Sequence, residues 1–196
     1  NAEITHEYDD IAEMYNKYNI NFIVSGYRGY GLSNGKPSKD TSLEDSLKIF
    51  DFVLGHLESL NNKNHLIVMG RSLGSTSASH VMSNREKEID GAIIDSGFAT
   101  EYPFLLRFGL NPQDINFSLS DGFDNLKKIK YFKKPFLIIH ADMDEIIPFS
   151  QADMMFVESG SYNKDLFKVN GAGHNNVISI AREHYFDKIR EFIEQL

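Results

Sequence analysis

His65-Leu-Ile-Val-Met-Gly-Arg-Ser-Leu-Gly-Ser75, or HLIVMGRSLGS, joins three structural signals in one short stretch. The run 65–69 is short, apolar and β-branched, which suits a buried strand. The residues that follow, STSASHVMSNRE, favour a helix. Between the two, Gly70 and Gly74 bracket Ser72 in the pattern G-x-S-x-G. A strand that turns abruptly into a helix forces one residue into a strained backbone conformation, and neighbours without side chains let the turn close. Such a nucleophile elbow puts Ser72 at the carboxyl edge of a sheet. Its hydroxyl then lies near a helix amino end, whose free N–H groups favour developing negative charge. The pattern alone is common by chance; the strand before it and the helix after it give it weight.

Outward from the elbow, strand-like runs recur at 21–25 (NFIVS), 91–95 (GAIID), 135–140 (PFLIIH) and 165–169 (DLFKV). They are continuous rather than alternating, as expected of strands buried on both faces. Between them the period becomes helical. Leu43, Leu47, Phe50, Leu54 and Leu57 fall at steps of four and three, and Thr41 with Glu44 forms a plausible capping box ahead of them. Ile178, Tyr185, Ile189, Phe192 and Leu196 mark a similar stripe on a final helix. Alternating strands and helices predict the α/β class, a mostly parallel sheet with helices on both faces.

Composition limits the partners. The chain has 196 residues, 41% of them hydrophobic, and a formal net charge of −8. That length suits one domain with a sizeable core. The densest basic run, KKIKYFKK at 127–134, is too short for a nucleic-acid stripe. With no cysteine there is no thiolate nucleophile, disulfide or Cys-bound metal to propose, and a cytoplasmic location is expected. No apolar run approaches the roughly 20 residues that span a bilayer. One interval, 97–134, is longer than a crossover helix requires, dense in Phe and Leu, and interrupted by Pro103 and Pro112. It is either a small lid over an apolar subsite or a crossover helix with loops packed on the sheet.

A serine hydroxyl needs a base to take its proton and a carboxylate to orient that base. On this architecture the order along the chain is Ser, acid, His. Of seven histidines, His6, His56 and His65 precede Ser72, His80 lies in the following helix, and His140 ends a strand ahead of the acids. His174, in the glycine-rich GAGHNN after a strand, is favoured over His184, which falls inside the final helical pattern. The acid comes from HADMDEIIPF, where Asp142, Asp144 and Glu145 all remain available.

Five blocks in order, YRGYGLSNGKPS at 27–38, GRSLGS at 70–75, DSGFA at 95–99, HADMDEIIPFS at 140–150 and GAGHNN at 171–176, resemble the α/β-hydrolase superfamily. The resemblance covers the whole chain. It is strongest to the small serine hydrolases that include eukaryotic protein depalmitoylases and bacterial relatives. The resemblance places the triad acid at Asp144, with Asp142 as fallback. Ala141 stands where the family generally has Gly, and Gly26 where an Asp commonly precedes YRGYG. Neither departure touches a triad member.

The resemblance implies acyl transfer through a covalent intermediate, with Ser72 as nucleophile, His174 as base and Asp144 as orienting acid. It places the oxyanion donors at the Leu73 backbone N–H and at Asn1, the latter in a loop that NAEITHEYDD looks to continue. The strand before that loop lies, in the family's order, between the strands predicted at 21–25 and 65–69, so amino-terminal strands are expected to be missing from this chain. The expected function is a serine hydrolase of esters or thioesters, needing no cofactor or metal and acting on a small-molecule or lipid-like acyl ester. A non-catalytic binding module and a serine peptidase on the same fold are the alternatives.

Overall fold

The computed structural model describes residues 5–196, apart from the side chains of His6, Glu7 and Leu119. Helix α1 (Asp9–Lys17) and the long helix α2 (Lys39–Ser59) precede the first strand. The remaining order is β1 (Ile67–Arg71), α3 (Gly74–Asn84), β2 (Gly91–Asp95), α4 (Tyr102–Arg107), α5 (Asn125–Tyr131), β3 (Phe136–Ala141), α6 (Ser150–Glu158), β4 (Lys164–Val169), α7 (Val177–Ala181) and α8 (Glu183–Glu194). The sheet runs β1-β2-β3-β4, and every pair in it is parallel. Parallel neighbours need crossover connections, and α3, α4 with α5, and α6 supply them.

Every residue of β2 and β3 is buried, because both faces of the sheet are covered. The period-two alternation of a strand divides their side chains between two cores. Ile94 and Ile138 pack on one face with Phe50 of α2, Val81 and Met82 of α3, Ile129 of α5 and Met155 of α6. Ile93, Leu137 and Ile139 pack on the other with Tyr15 of α1 and with Tyr185, Phe186, Ile189 and Phe192 of α8. Each fully buried Ile, Leu or Phe contributes roughly 1.5–3 kcal/mol relative to exposure, so these layers set the position of the strand ends above them.

Three local expectations are corrected. The capping box at α2 is formed by Ser38 and Thr41, one turn earlier than Thr41 and Glu44: the Thr41 N–H donates to Ser38 Oγ at 3.1 Å and the Ser38 N–H to Thr41 Oγ1 at 2.8 Å. The final stripe is split between α7 and α8 at Arg182, which has φ 53°. Residues 21–25 form no strand among the described residues, and β1 is an edge there. The segment and β1 do not pair with each other. Ile23 is 59% exposed, and a cavity of about 1940 Å³, lined by Phe22, Ile23 and Val24 on one side and Ile67, Val68 and Met69 on the other, runs on to Ser72.

The interval 97–134 has two characters. Ile129 and Phe132 are buried in the core, and Leu126 packs against it. Phe104, Leu105, Phe108 and Phe117 line the cavity instead, and Phe108 is 76% exposed.

Candidate active site

Ser72 sits where β1 ends and α3 begins, with φ 51°. A left-handed backbone at a residue with a Cβ costs on the order of 1–2 kcal/mol, so the surrounding bonds must hold it. The Ser72 N–H donates to the Asp95 carbonyl at 2.9 Å, and the Ser75 N–H donates to the Ser72 carbonyl at 3.0 Å. Gly70 is sterically required: a Cβ there would stand 2.6 Å from the Ala78 methyl as α3 crosses β1. Gly74 is not, since its nearest such contact is the Tyr27 hydroxyl at 3.8 Å. Of the two glycines in the motif, only the first answers to a close approach.

The loops after β3 and β4 bring the other expected groups to the same edge. His174 Nε2 lies 2.9 Å from Ser72 Oγ, and His174 Nδ1 lies 2.7 Å from Asp144 Oδ2. The carboxylate fixes the ring: Nδ1 carries the proton and donates to Asp144, which leaves Nε2 to accept from the serine. His174 is 4% exposed, so solvent competes little for these bonds. The other Asp144 oxygen accepts the N–H groups of Ile146 at 2.9 Å and Ile147 at 2.7 Å. Burial alone would raise the Asp144 pKa, but the bonds from His174, Ile147 and Ile146 outweigh it and hold the carboxyl below its ordinary value.

The three acids left open by the sequence have three different tasks. Asp142 accepts the Gly171 N–H at 2.7 Å and so ties the two loops together. Glu145 accepts the His174 backbone N–H at 3.1 Å, away from the ring. Only Asp144 meets the imidazole. His140 Nε2 approaches Asp144 at 3.5 Å but does not form an ion pair with it, because burial lowers the His140 pKa and keeps the ring neutral. Its Nε2 lies 2.9 Å from the Ile147 carbonyl and donates to it. His184 is exposed on α8, far from this arrangement in role.

The Leu73 N–H, at the start of α3, has no hydrogen-bond partner among the described residues, and Leu73 lines the cavity beside Ser72. Asn1, the second expected oxyanion donor, lies outside the described residues. Phe98, Phe104, Leu105, Phe108, Phe117 and Ile146 give the cavity that reaches Ser72 an apolar wall. Among the described residues no cluster of His, Cys, Asp or Glu is arranged to hold a metal, and no helix is long and apolar enough to cross a membrane. Two residues that sequence reasoning passed over stand under the site: Arg71, which donates to the His174 carbonyl at 2.8 Å, and Tyr185, which donates to buried Asp95 at 2.9 Å. Arg71 lies inside the G-x-S-x-G motif itself, but nothing in its spacing points to a loop so far along the chain.

The family model described as serine aminopeptidase, S33, matches residues 2–110. An uncharacterized membrane protein of Saccharomyces cerevisiae is 31% identical over 190 residues, covering 92% of this chain and 63% of that protein. The chain thus spans about three-fifths of the length of the curated relatives it matches. Among solved structures, a Paleococcus ferrophilus monoacylglycerol lipase superposes with a TM-score of 0.76 at 20% identity, over 98% of this chain and 90% of that one. A Pyrococcus furiosus esterase gives 0.75 at 20% identity, over 97% and 77%. At that identity the likeness is one of fold. A parallel sheet covered on both faces, an elbow at Ser72 and a family model spanning more than half its length together establish that this chain belongs to the α/β-hydrolase superfamily, in the family described as serine aminopeptidase, S33.

Proposed function

We propose that this chain is a serine hydrolase that cleaves carboxylic esters or thioesters through an acyl-enzyme. The observation that carries the reading is the unbroken line of hydrogen bonds from Ser72 Oγ through the His174 ring to Asp144. As Ser72 Oγ bonds to the substrate carbonyl carbon, its proton passes to His174 Nε2. Asp144 holds the Nδ1 proton in place and stabilises the charged ring. The tetrahedral oxyanion receives the Leu73 N–H and, in this reading, a second donor from Asn1. Collapse breaks the bond to the alcohol or thiol, which leaves with the proton from Nε2. Water then repeats the sequence and frees the acid.

The apolar wall of the cavity that reaches Ser72 suits an acyl chain, and the monoacylglycerol lipase and esterase folds are consistent with an ester substrate. Thioester cleavage and a cytoplasmic setting are the finer parts of the same proposal. It also includes a further strand seated between residues 21–25 and β1, where both segments present apolar side chains to one cavity. The description of the family as serine aminopeptidase favours a second reading, amide cleavage at a peptide amino end. A panel of p-nitrophenyl esters, acyl thioesters and aminoacyl p-nitroanilides tests them: hydrolysis of esters with none of anilides supports the first reading, and the reverse supports the second.

A further inference from the structure

We propose that Arg71 and Glu145 are positioning residues that clamp the main chain of His174 from both sides; this rests on the reading of Ser72, His174 and Asp144 as a triad. The clamp is formed by opposite charges on the two peptide groups that flank one Cα. Glu145 Oε2 accepts the His174 N–H at 3.1 Å, and Arg71 Nη2 donates to the His174 carbonyl at 2.8 Å. Hydrogen bonds to ionised groups are about twice as strong as neutral ones, and here they fix the torsions on either side of the residue that carries the base. Among the described residues, the ring itself is bonded only to Ser72 and Asp144. Its bearing on Ser72 is therefore set by the backbone beneath it.

Each jaw has an anchor outside the triad. Arg71 ends β1, in register with Asp95 at the end of β2, and its Nε stands 4.0 Å from Asp95 Oδ2. Asp95 is fully buried, and its two oxygens accept the Ser96 hydroxyl at 2.7 Å and the Tyr185 hydroxyl at 2.9 Å. The guanidinium is thus held against a carboxylate that cannot move, at the floor of the sheet edge. Glu145 is held from the opposite side: its own carbonyl accepts Arg107 Nη1 from the end of α4. Because α4 carries Phe104 and Leu105 of the cavity wall, the second jaw connects the substrate-facing helix to the base.

A 1 Å misplacement of a reacting group costs up to about 100-fold in rate, so loss of either jaw should slow the serine without removing any atom of the triad. The test uses the full-length protein and a fluorophosphonate probe, with limiting labelling rate and probe affinity separated by varying probe concentration. Arg71→Ala and Glu145→Ala should each lower the limiting rate by about ten-fold or more, with affinity changed by less than about two-fold. Added guanidinium, below denaturing concentration, should restore labelling in Arg71→Ala and not in Glu145→Ala or His174→Ala. A purely structural role for Arg71 would lower the melting temperature without this rescue. Glu145 is exposed, so its replacement leaves the fold intact and decides the matter if Arg71→Ala does not fold. An unchanged limiting rate in Glu145→Ala, or a folded Arg71→Ala that guanidinium does not accelerate, overturns the clamp. Absence of labelling in the wild type overturns the triad reading, and the clamp with it.

Discussion

Ser72 Oγ and His174 Nε2 lie 2.9 Å apart although 102 positions separate them in the chain. Three parallel strands, β2, β3 and β4, and their crossovers intervene along the chain, so the contact depends on the sheet holding its register from β1 to β4. The backbone at Ser72 is left-handed, which places the hydroxyl above the sheet edge at a conformational cost. That cost is itself measurable.

Ser72→Gly is expected to be more stable than Ser72→Ala by about 1 kcal/mol, because glycine adopts φ 51° without a Cβ clash. Both variants should be inactive. Urea unfolding of the pair checks it; equal midpoints would mean that the elbow stores no strain.

Asp144→Asn should reduce ester hydrolysis by on the order of 10³ to 10⁴, since the amide cannot hold the His174 tautomer that leaves Nε2 free to accept. Asp142→Asn should remain within a few-fold of wild type, because the amide oxygen still accepts the Gly171 N–H. Steady-state rates on one ester settle which acid is used, and an inactive Asp142→Asn beside an active Asp144→Asn would reverse the assignment.

The same carboxylate makes stability depend on pH. Its folded pKa is lowered from an ordinary value of about 3.9, so it adds stability above that pH and loses it as pH falls through the lowered value. Asp144→Asn should therefore be less stable than wild type at neutral pH, with the difference shrinking as pH falls below the ordinary carboxylate value of about 3.9. Unfolding midpoints across an acid series would expose a constant difference, which is the contrary result.

Lys128 on α5 also makes stability rise with pH, but at neutral pH its buried charge costs stability instead of adding it. Burial pushes its amine down to about 8, and Nζ has no hydrogen-bond partner among the described residues. The folded state thus binds fewer protons than the unfolded chain between about pH 8 and 10.5, and stability should rise across that window. Lys128→Met should stabilise the protein at pH 7 by about 1 kcal/mol and abolish the rise. A destabilised variant would show that the amine is better solvated than its burial implies.

Phe104 and Leu105 on α4 line the cavity that reaches Ser72, so replacing both with Ala should shift preference towards longer or bulkier acyl chains. Relative kcat/KM over a chain-length series reads this directly. Unchanged preference with a lower melting temperature would assign the pair to packing instead.

Much of this was legible before the structure because it is local. β2 and β3 are runs that only a doubly covered strand explains, and the elbow joins strand, turn and helix within a few residues. Residues 21–25 are apolar yet form no strand for a physical reason: an apolar run reports what a segment needs to bury, not whether a neighbouring strand is there to pair with it. The break at Arg182 was invisible because a positive φ at a non-glycine residue leaves no mark in hydrophobic periodicity. Chain order leaves Asp142, Asp144 and Glu145 open and only the family resemblance points to Asp144, since one short loop turns each carboxylate to a different partner. Arg71 escaped notice because its partner carbonyl lies 103 residues away.

The most direct measurement is covalent labelling by a fluorophosphonate probe of the wild type beside Ser72→Ala and His174→Ala, with folding of each checked by its melting curve. The account predicts rapid labelling of the wild type and none in either folded variant. Labelling that persists in Ser72→Ala, or a folded wild type that the probe does not touch, would contradict it.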